Sequence, residues 1–115
     1  MEETPLQRME LLIQKEGIER LKQACVMVVG VGGVGSYATE ALARCGIGTL
    51  ILVDGDTVAI SNLNRQIHAT YETLHQSKTK VMKERIETYR KRLSYHLSRY
   101  LLQCRSKTSC YSNSQ

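Results

Sequence analysis

The sequence predicts an α/β chain. It reads as the N-terminal part of a Rossmann-like parallel sheet, with helices before it and a long C-terminal helix after it. Three observations carry this. Two short runs, 25–29 and 49–54, are apolar at almost every position, as in strands covered on both faces. The first run ends in a glycine-rich turn, and a stretch of helix formers lies between the two. Strand, turn, helix, strand is a βαβ unit, whose crossover is expected to be right-handed.

The first element is helical. Thr4 can cap it, Pro5 suits its first position and Gln7 completes a capping box. Leu6, Met9, Leu12 and Ile13 then share a helical face, Gly17 reads as a stop, and a second short helix spans 18–23. Cys25-Val26-Met27-Val28-Val29 is the first strand. Residues 36–45 form the crossover helix, with Ala38, Ala41, Leu42 and Cys45 facing inward and Gly46 and Gly48 ending it. Thr49 to Asp54 is the second strand. Residues 55–77 are polar loop with at most a short turn. From Lys78 the apolar positions Val81, Met82, Ile86, Tyr89, Leu93, Leu97 and Leu101 keep helical spacing, and no Gly or Pro interrupts residues 56–115. A helix over 78–103 would be about 39 Å long. The last dozen residues read as disordered, and no internal repeat is visible.

With 115 residues and 42% hydrophobic content, one small globular domain is expected. The sequence has no Trp or Phe, so the core must be aliphatic. No apolar run approaches the roughly 18 residues of a membrane span, and the acidic N-terminus does not resemble a secretory signal. No membrane association and a cytoplasmic location follow as expectations. The formal charge of +5 is unevenly spread. Residues 1–87 hold 10 Lys+Arg and 11 Asp+Glu, whereas residues 88–115 hold 6 Lys+Arg and no acid. The expected organisation is an incomplete nucleotide-binding domain over 1–87 and a basic, Ser-rich tail over 88–115. Cys25, Cys45, Cys104 and Cys110 lack the Cys-x-x-Cys spacing of zinc or redox sites. Cys25 and Cys45 read as small buried hydrophobes.

Gly30-Val31-Gly32-Gly33-Val34-Gly35 fits G-x-G-x-x-G, after a strand and before a helix. Gly30 permits the tight turn, Gly32 lets a phosphate approach the backbone, and Gly35 allows close helix–strand packing. The free amides of the helix start would face the anion. The plainer reading is a tight turn without a ligand. Asp54, 19 residues beyond Gly35, suits a ribose hydroxyl, which fits NAD and ATP equally; Asp56 could hold the loop or a polar ligand group. Ser61-Asn62-Leu63-Asn64-Arg65-Gln66-Ile67-His68 follows. A redox dinucleotide site has no need for this polar cluster, whereas a triphosphate site does. Arg65 offers a planar donor fork, Ser61 and Asn64 can bond sugar or phosphate, and Lys78 is a mobile charge for a leaving pyrophosphate. His68 could touch substrate or move a proton; the commoner role for such a residue is structural.

The segments VVGVGGVGSYATEALARCGIGTLILVDGD (28–56), SNLNRQIHA (61–69) and Lys78 with VMKERI (81–86) resemble the ThiF/MoeB/HesA family of ubiquitin-activating-type adenylyltransferases. Within it, GVGSYATEALARCGIG and NRQIHA are most similar to the tRNA threonylcarbamoyladenosine dehydratase branch. The resemblance implies ATP and Mg2+ as cofactors, and activation of a carboxylate as its acyl adenylate. In that branch the carboxylate belongs to threonylcarbamoyladenosine in tRNA, and loss of AMP closes a ring. By position, Gly30, Gly32 and Gly33 would line the phosphates and Asp54 the ribose. Asp56, Ser61 and Asn64 would assist, and Arg65 and Lys78 would be catalytic, stabilising the pentacovalent phosphorus. No metal ligand is assigned. The family implies a homodimer, with Arg8 the candidate to reach the partner's site.

Family members continue with further strands and a magnesium-binding aspartate, which residues 88–115 do not resemble. The expectation is therefore a truncated or frameshifted form, with a natural minimal variant ending in a long helix as the alternative. The other readings are an enzyme activating a sulfur-carrier or ubiquitin-like protein, an NAD-binding oxidoreductase fragment, and a non-catalytic fragment that docks on a complete copy.

Overall fold

A computed structural model describes residues 3–90 and 94–98. Along the chain run α1 (Gln7–Gln23), β1 (Cys25–Val29), α2 (Gly33–Arg44), β2 (Thr49–Val53), a single 3-10 turn (Ile60–Asn62), α3 (Lys78–Glu87) and β3 (Ser94–Ser98). The strands form one parallel sheet in the order β1-β2-β3. Val26 pairs with Leu50, and Leu50 with Tyr95.

β2 is the sheet's centre, and its composition fits that place. Leu50, Leu52 and Val53 are fully buried and Ile51 nearly so. Leu50 and Leu52 join Val31, Ala43, Ile47, Met82 and Ile86 in a core sealed by Leu21, Val26, Val28 and Tyr89. β1 departs from its expectation. Its run is uniformly apolar, yet Val26 and Val28 pack inward while Met27 is 38% and Val29 58% exposed. An unbroken apolar run suits two-sided burial, but an edge strand covered on one face shows the period-two alternation of its pleat instead. Cys25 on β1 and Cys45, at the end of the following helix, are half-buried rather than buried.

α1 forms as one helix carrying a kink at Gln14, where φ is 63° and ψ 175°. The break is thus three residues before the expected stop at Gly17. Ile13 packs so close to Gly17 that a Cβ there would stand 2.7 Å from the Ile13 Cβ. Thr4 does not cap this helix. Its carbonyl accepts from the Gln7 amide in a preceding turn, and Leu6 occupies the cap position without a side-chain bond. Leu12 is 85% exposed, so the expected face of α1 is not all inward.

α2 begins at Gly33, three residues earlier than expected, and its inward face is Ser36, Thr39, Glu40 and Ala43. Ala38 and Ala41, expected inside, are exposed. Alanine is too small to decide which side of a helix faces the core. Here hydrogen bonds decide it: Thr39 Oγ1 donates to the Gly35 carbonyl at 2.7 Å, and Glu40 binds three partners described below. Gly46 ends the helix as expected. With φ at 94° it turns the chain so that its own N–H meets Ala43 O and that of Ile47 meets Leu42 O, a Schellman closure.

The long C-terminal helix is not formed. α3 stops at Glu87, Thr88 Oγ1 donates back to Arg85 O, and Arg90 Nη1 donates to the carbonyls of Ala43 and Ile47 at the end of α2. The chain then adds the parallel strand β3, where the sequence suggested no strand. Tyr89, Leu93, Leu97 and Leu101 lie four residues apart. A spacing of four satisfies the period of two as well as it approximates 3.6, and at Leu97, within Ser94–Ser98, the strand period prevails. The rest of the expected helix, and the expected disorder of the last dozen residues, lie outside the described residues.

Two glycines of the turn differ in what they protect. A Cβ on Gly35 would stand 1.7 Å from the Gly30 carbonyl oxygen, whereas one on Gly32 would meet only Gln66 Nε2, at 3.7 Å. Gly35→Ala is therefore expected to lose about 2–3 kcal/mol of stability in urea unfolding. Gly32→Ala is expected to stay within about 1 kcal/mol of the parent.

Candidate functional site

The site gathers where β1 and β2 end. Gly30 leaves β1 with φ at 92°, its N–H held by Val53 O at 2.8 Å. The next residue, Val31, is fully buried and fixed at both backbone ends. Its N–H donates to Asp54 Oδ2 at 2.7 Å, and its carbonyl meets His68 Nε2, also at 2.7 Å. Asp54 Oδ1 accepts from the Asp56 amide at 2.8 Å. Two amides thus aim the Asp54 carboxylate, and each oxygen keeps a second lone pair for a hydroxyl.

The glycine turn delivers the chain to the start of α2, where the first amides have no acceptor within the helix. Arg65 lies over this start. A Cβ on Gly33 would come within 3.7 Å of Arg65 Cγ and Cδ. The guanidinium is steadied by its own loop, Nη1 donating to Ser61 O at 3.0 Å and to Asn64 Oδ1 at 2.9 Å. The loop is built on buried Asn62, whose Oδ1 accepts from Ala59 N, and on Ile67, whose amide donates to Ser36 Oγ on α2. Lys78 opens α3, is 7% exposed, and is placed by its amide, which donates to Asp56 O.

The structure therefore brings together Gly30, Gly32, Gly33, Asp54, Ser61, Asn64, Arg65 and Lys78. Asp56 takes part through its backbone, and its side chain is exposed. Arg8 is exposed on α1, and among the described residues no hydrogen bond or ion pair joins it to this group. His68 is 2% exposed. Burial pushes its pKa down, the Val31 carbonyl pulls it up, Lys78 pushes it down, and the net direction is downward. The imidazole is thus neutral at neutral pH.

One polar centre was not foreseen. Glu40 on α2 is clasped by Arg85 on α3, Nε to Oε1 and Nη2 to Oε2, both at 3.0 Å. Arg44 and the Tyr89 hydroxyl also donate to it, and Arg44 stacks on the Tyr89 ring, 3.9 Å from its centre. Burial raises the Glu40 carboxyl, but the bonds from Arg85, Tyr89 and Arg44 outweigh it and hold the pKa below the ordinary carboxylate value. The Glu40–Arg44 pair at i, i+4 was readable; the contact to Arg85, 45 residues away, was not. Through this clasp, the helix that starts at the glycine turn is fixed to the helix that starts at Lys78.

A profile of the ThiF family matches residues 6–107, nearly the whole chain. The chain belongs to the ThiF family. It is 58% identical over 79 residues to the tRNA threonylcarbamoyladenosine dehydratase of Bacillus subtilis (strain 168), covering 69% of this chain and 31% of that protein. The Haemophilus influenzae dehydratase is 47% identical over 76 residues, covering 66% and 29%. The chain spans less than a third of the length of these curated relatives. Among solved structures, Escherichia coli tRNA N6-threonylcarbamoyladenosine dehydratase, TcdA, in complex with ATP, superposes with a TM-score of 0.82 at 36% identity. That likeness covers 86% of this chain and 41% of TcdA. The ThiF match continues past the charge switch near residue 88 and includes β3.

The clasp makes an acid-stability prediction. Glu40 titrates lower folded than unfolded, so its contribution is present above the unfolded value of 4.5 and is lost as pH falls through the folded one. Urea unfolding should show this loss below pH 4.5. Glu40→Gln should remove that limb and cost about 2 kcal/mol at pH 7.

Proposed function

We propose that this chain carries the ATP-binding part of a ThiF-type adenylating enzyme acting on threonylcarbamoyladenosine in tRNA. The observation that carries the reading is the meeting of Arg65 with Gly33 beside Asp54. A phosphate-facing helix start, a guanidinium over it and an amide-aimed carboxylate are what a nucleoside triphosphate needs. The 58% identity over 79 residues to the Bacillus subtilis dehydratase, and the likeness to TcdA in complex with ATP, support it.

In this reading the helix amides of the turn bind phosphate, and Asp54 accepts from the ribose. Ser61 and Asn64 hold Arg65 and offer further polar contacts, and Asp56 assists through its loop. The substrate carboxylate oxygen forms a bond to the α-phosphorus as the bond to pyrophosphate breaks. Arg65 and Lys78 stabilise the charge on the pentacovalent phosphorus and the leaving pyrophosphate. The acyl adenylate is then attacked from within the same side chain, the ring closes and AMP leaves. Among the described residues no group of three or more His, Cys, Asp or Glu could hold a metal ion. Mg2+, which the resemblance implies, would accompany bound ATP and neutralise charge on its phosphates.

The finer partners belong to the same proposal. A homodimer would place Arg8 of one copy at the other's site, and the exposed Leu11 and Leu12 on α1 supply an apolar face near Arg8 in sequence. No helix among the described residues is long and apolar enough to cross a membrane, and a tRNA substrate suits the cytoplasm. All the candidate nucleotide contacts lie within residues 1–87, and the basic segment of 88–115 follows them. The pairing of β3 with β2 favours counting 94–98 with the sheet.

A thermal melt tests the reading. Mg-ATP at about 100 times its Kd should stabilise the chain by roughly 2.7 kcal/mol, with NAD giving no shift; a shift with NAD alone would overturn the proposal. Arg65→Ala should abolish the ATP shift while leaving the ligand-free melt nearly unchanged, because Arg65 is exposed. ATP–pyrophosphate exchange dependent on modified tRNA, rather than on a carrier protein, would separate this branch from its relatives.

A further inference from the structure

We propose that His68 is a positioning residue, a latch whose neutral imidazole ties the 61–68 loop to the glycine turn and whose protonation releases it. The latch is a property of the free chain. Its consequence for ATP rests on the nucleotide reading above.

The chemistry starts from one bond. His68 Nε2 lies 2.7 Å from the Val31 carbonyl oxygen. A carbonyl only accepts, so Nε2 carries the proton and Nδ1 is bare. Nδ1 is itself buried and has no hydrogen-bond partner. A neutral ring tolerates this, since a bare nitrogen in an apolar setting costs less than a buried charge.

Protonation changes the account. It places an N–H at Nδ1, where there is no acceptor. It also places a cation facing Lys78 and Arg85, both on α3, with Asp54 the opposing anion. Asp54 already accepts two amides. The charged ring is better solvated outside, and leaving costs the bond to Val31.

The loop is then loosened at the point that matters. Gln66, two residues before His68, lies against Gly32, and Arg65 lies over Gly33. Among the described residues the hydrogen bond from this stretch to α2 is the Ile67 amide to Ser36 Oγ, at a long 3.4 Å, with the Ile67 side chain packed against the core. With the latch open, the guanidinium loses its fixed place above the helix start.

Nuclear magnetic resonance on the full, ligand-free chain tests this directly. Between pH 5 and 8, His68 should show the Nε2–H tautomer and titrate below the ordinary 6.5 of histidine. The amides of Gly32, Gly33 and Arg65 should shift with the same midpoint. At pH 7.5, His68→Leu should speed hydrogen exchange at Gly32 and Gly33 by on the order of tenfold. His68→Gln keeps a donor of similar reach without a titration; it should restore protection and remove the pH dependence. A His68 that titrates at or above 6.5 with the glycine amides unmoved would overturn the latch, and so would unchanged exchange in His68→Leu. If the leucine variant does not fold, tautomer and shared midpoint in the parent chain still decide.

A second arm separates the latch from the nucleotide reading. ATP should bind about tenfold more weakly at pH 5.5 than at 7.5 in the parent, beyond any change seen in His68→Gln. Equal pH dependence in both would refute the latch's role in binding. No ATP binding at any pH, with the shared titration intact, would refute the nucleotide reading and leave the latch standing.

Discussion

The site depends on how the Val31 backbone is held. Its N–H goes to the carboxylate that follows β2, and its carbonyl goes to a histidine from the loop. One residue of the glycine turn thereby joins three segments that are 23 and 37 positions apart. Without it, the turn, the Asp54 carboxylate and the arginine loop would be neighbours without a common frame. Each bond alone is worth about 1 kcal/mol, more where the acceptor is charged. Their joint effect is geometric, since Asp54 is aimed by two amides before any ligand arrives.

A second frame lies behind the first. The Glu40 clasp sets α2 against α3, and each of those helices begins at the site, α2 at Gly33 and α3 at Lys78. The inward face of α2 is polar as a result. Ser36 receives the loop, Thr39 returns to Gly35, and Glu40 gathers two arginines and a tyrosine. Polar groups inside are tolerated because each has a partner of matching chemistry.

What could be read from the sequence follows the range of the interactions. β1, β2, the glycine turn and the Gly46 stop depend on local chemistry, and their positions agree with the reading. The clustering of Arg65, Asn64 and Ser61 was also legible, because these residues are close in sequence. Long-range pairing was not. Nothing in residues 36–45 announces that Glu40 will meet Arg85, so the alanines were given the inner face. The C-terminal helix failed for a different reason. Leucines and tyrosines four residues apart suit either period, and the choice fell to Arg90 binding the end of α2 and to β2 offering an open edge for Ser94–Ser98. Burial of β1 was overestimated because an apolar run records what a strand can bear, not how many layers cover it.

β1 has a practical consequence for anyone handling this chain. Among the described residues it is an edge strand, apolar at all five positions, with Val29 58% exposed. Sheet edges in natural proteins commonly carry a lysine, a proline or a bulge that discourages a second chain from pairing. β1 carries none of these. Met27 and Val29 stand bare on this strand, so addition of a second chain along β1 is the expected route of self-association in concentrated samples.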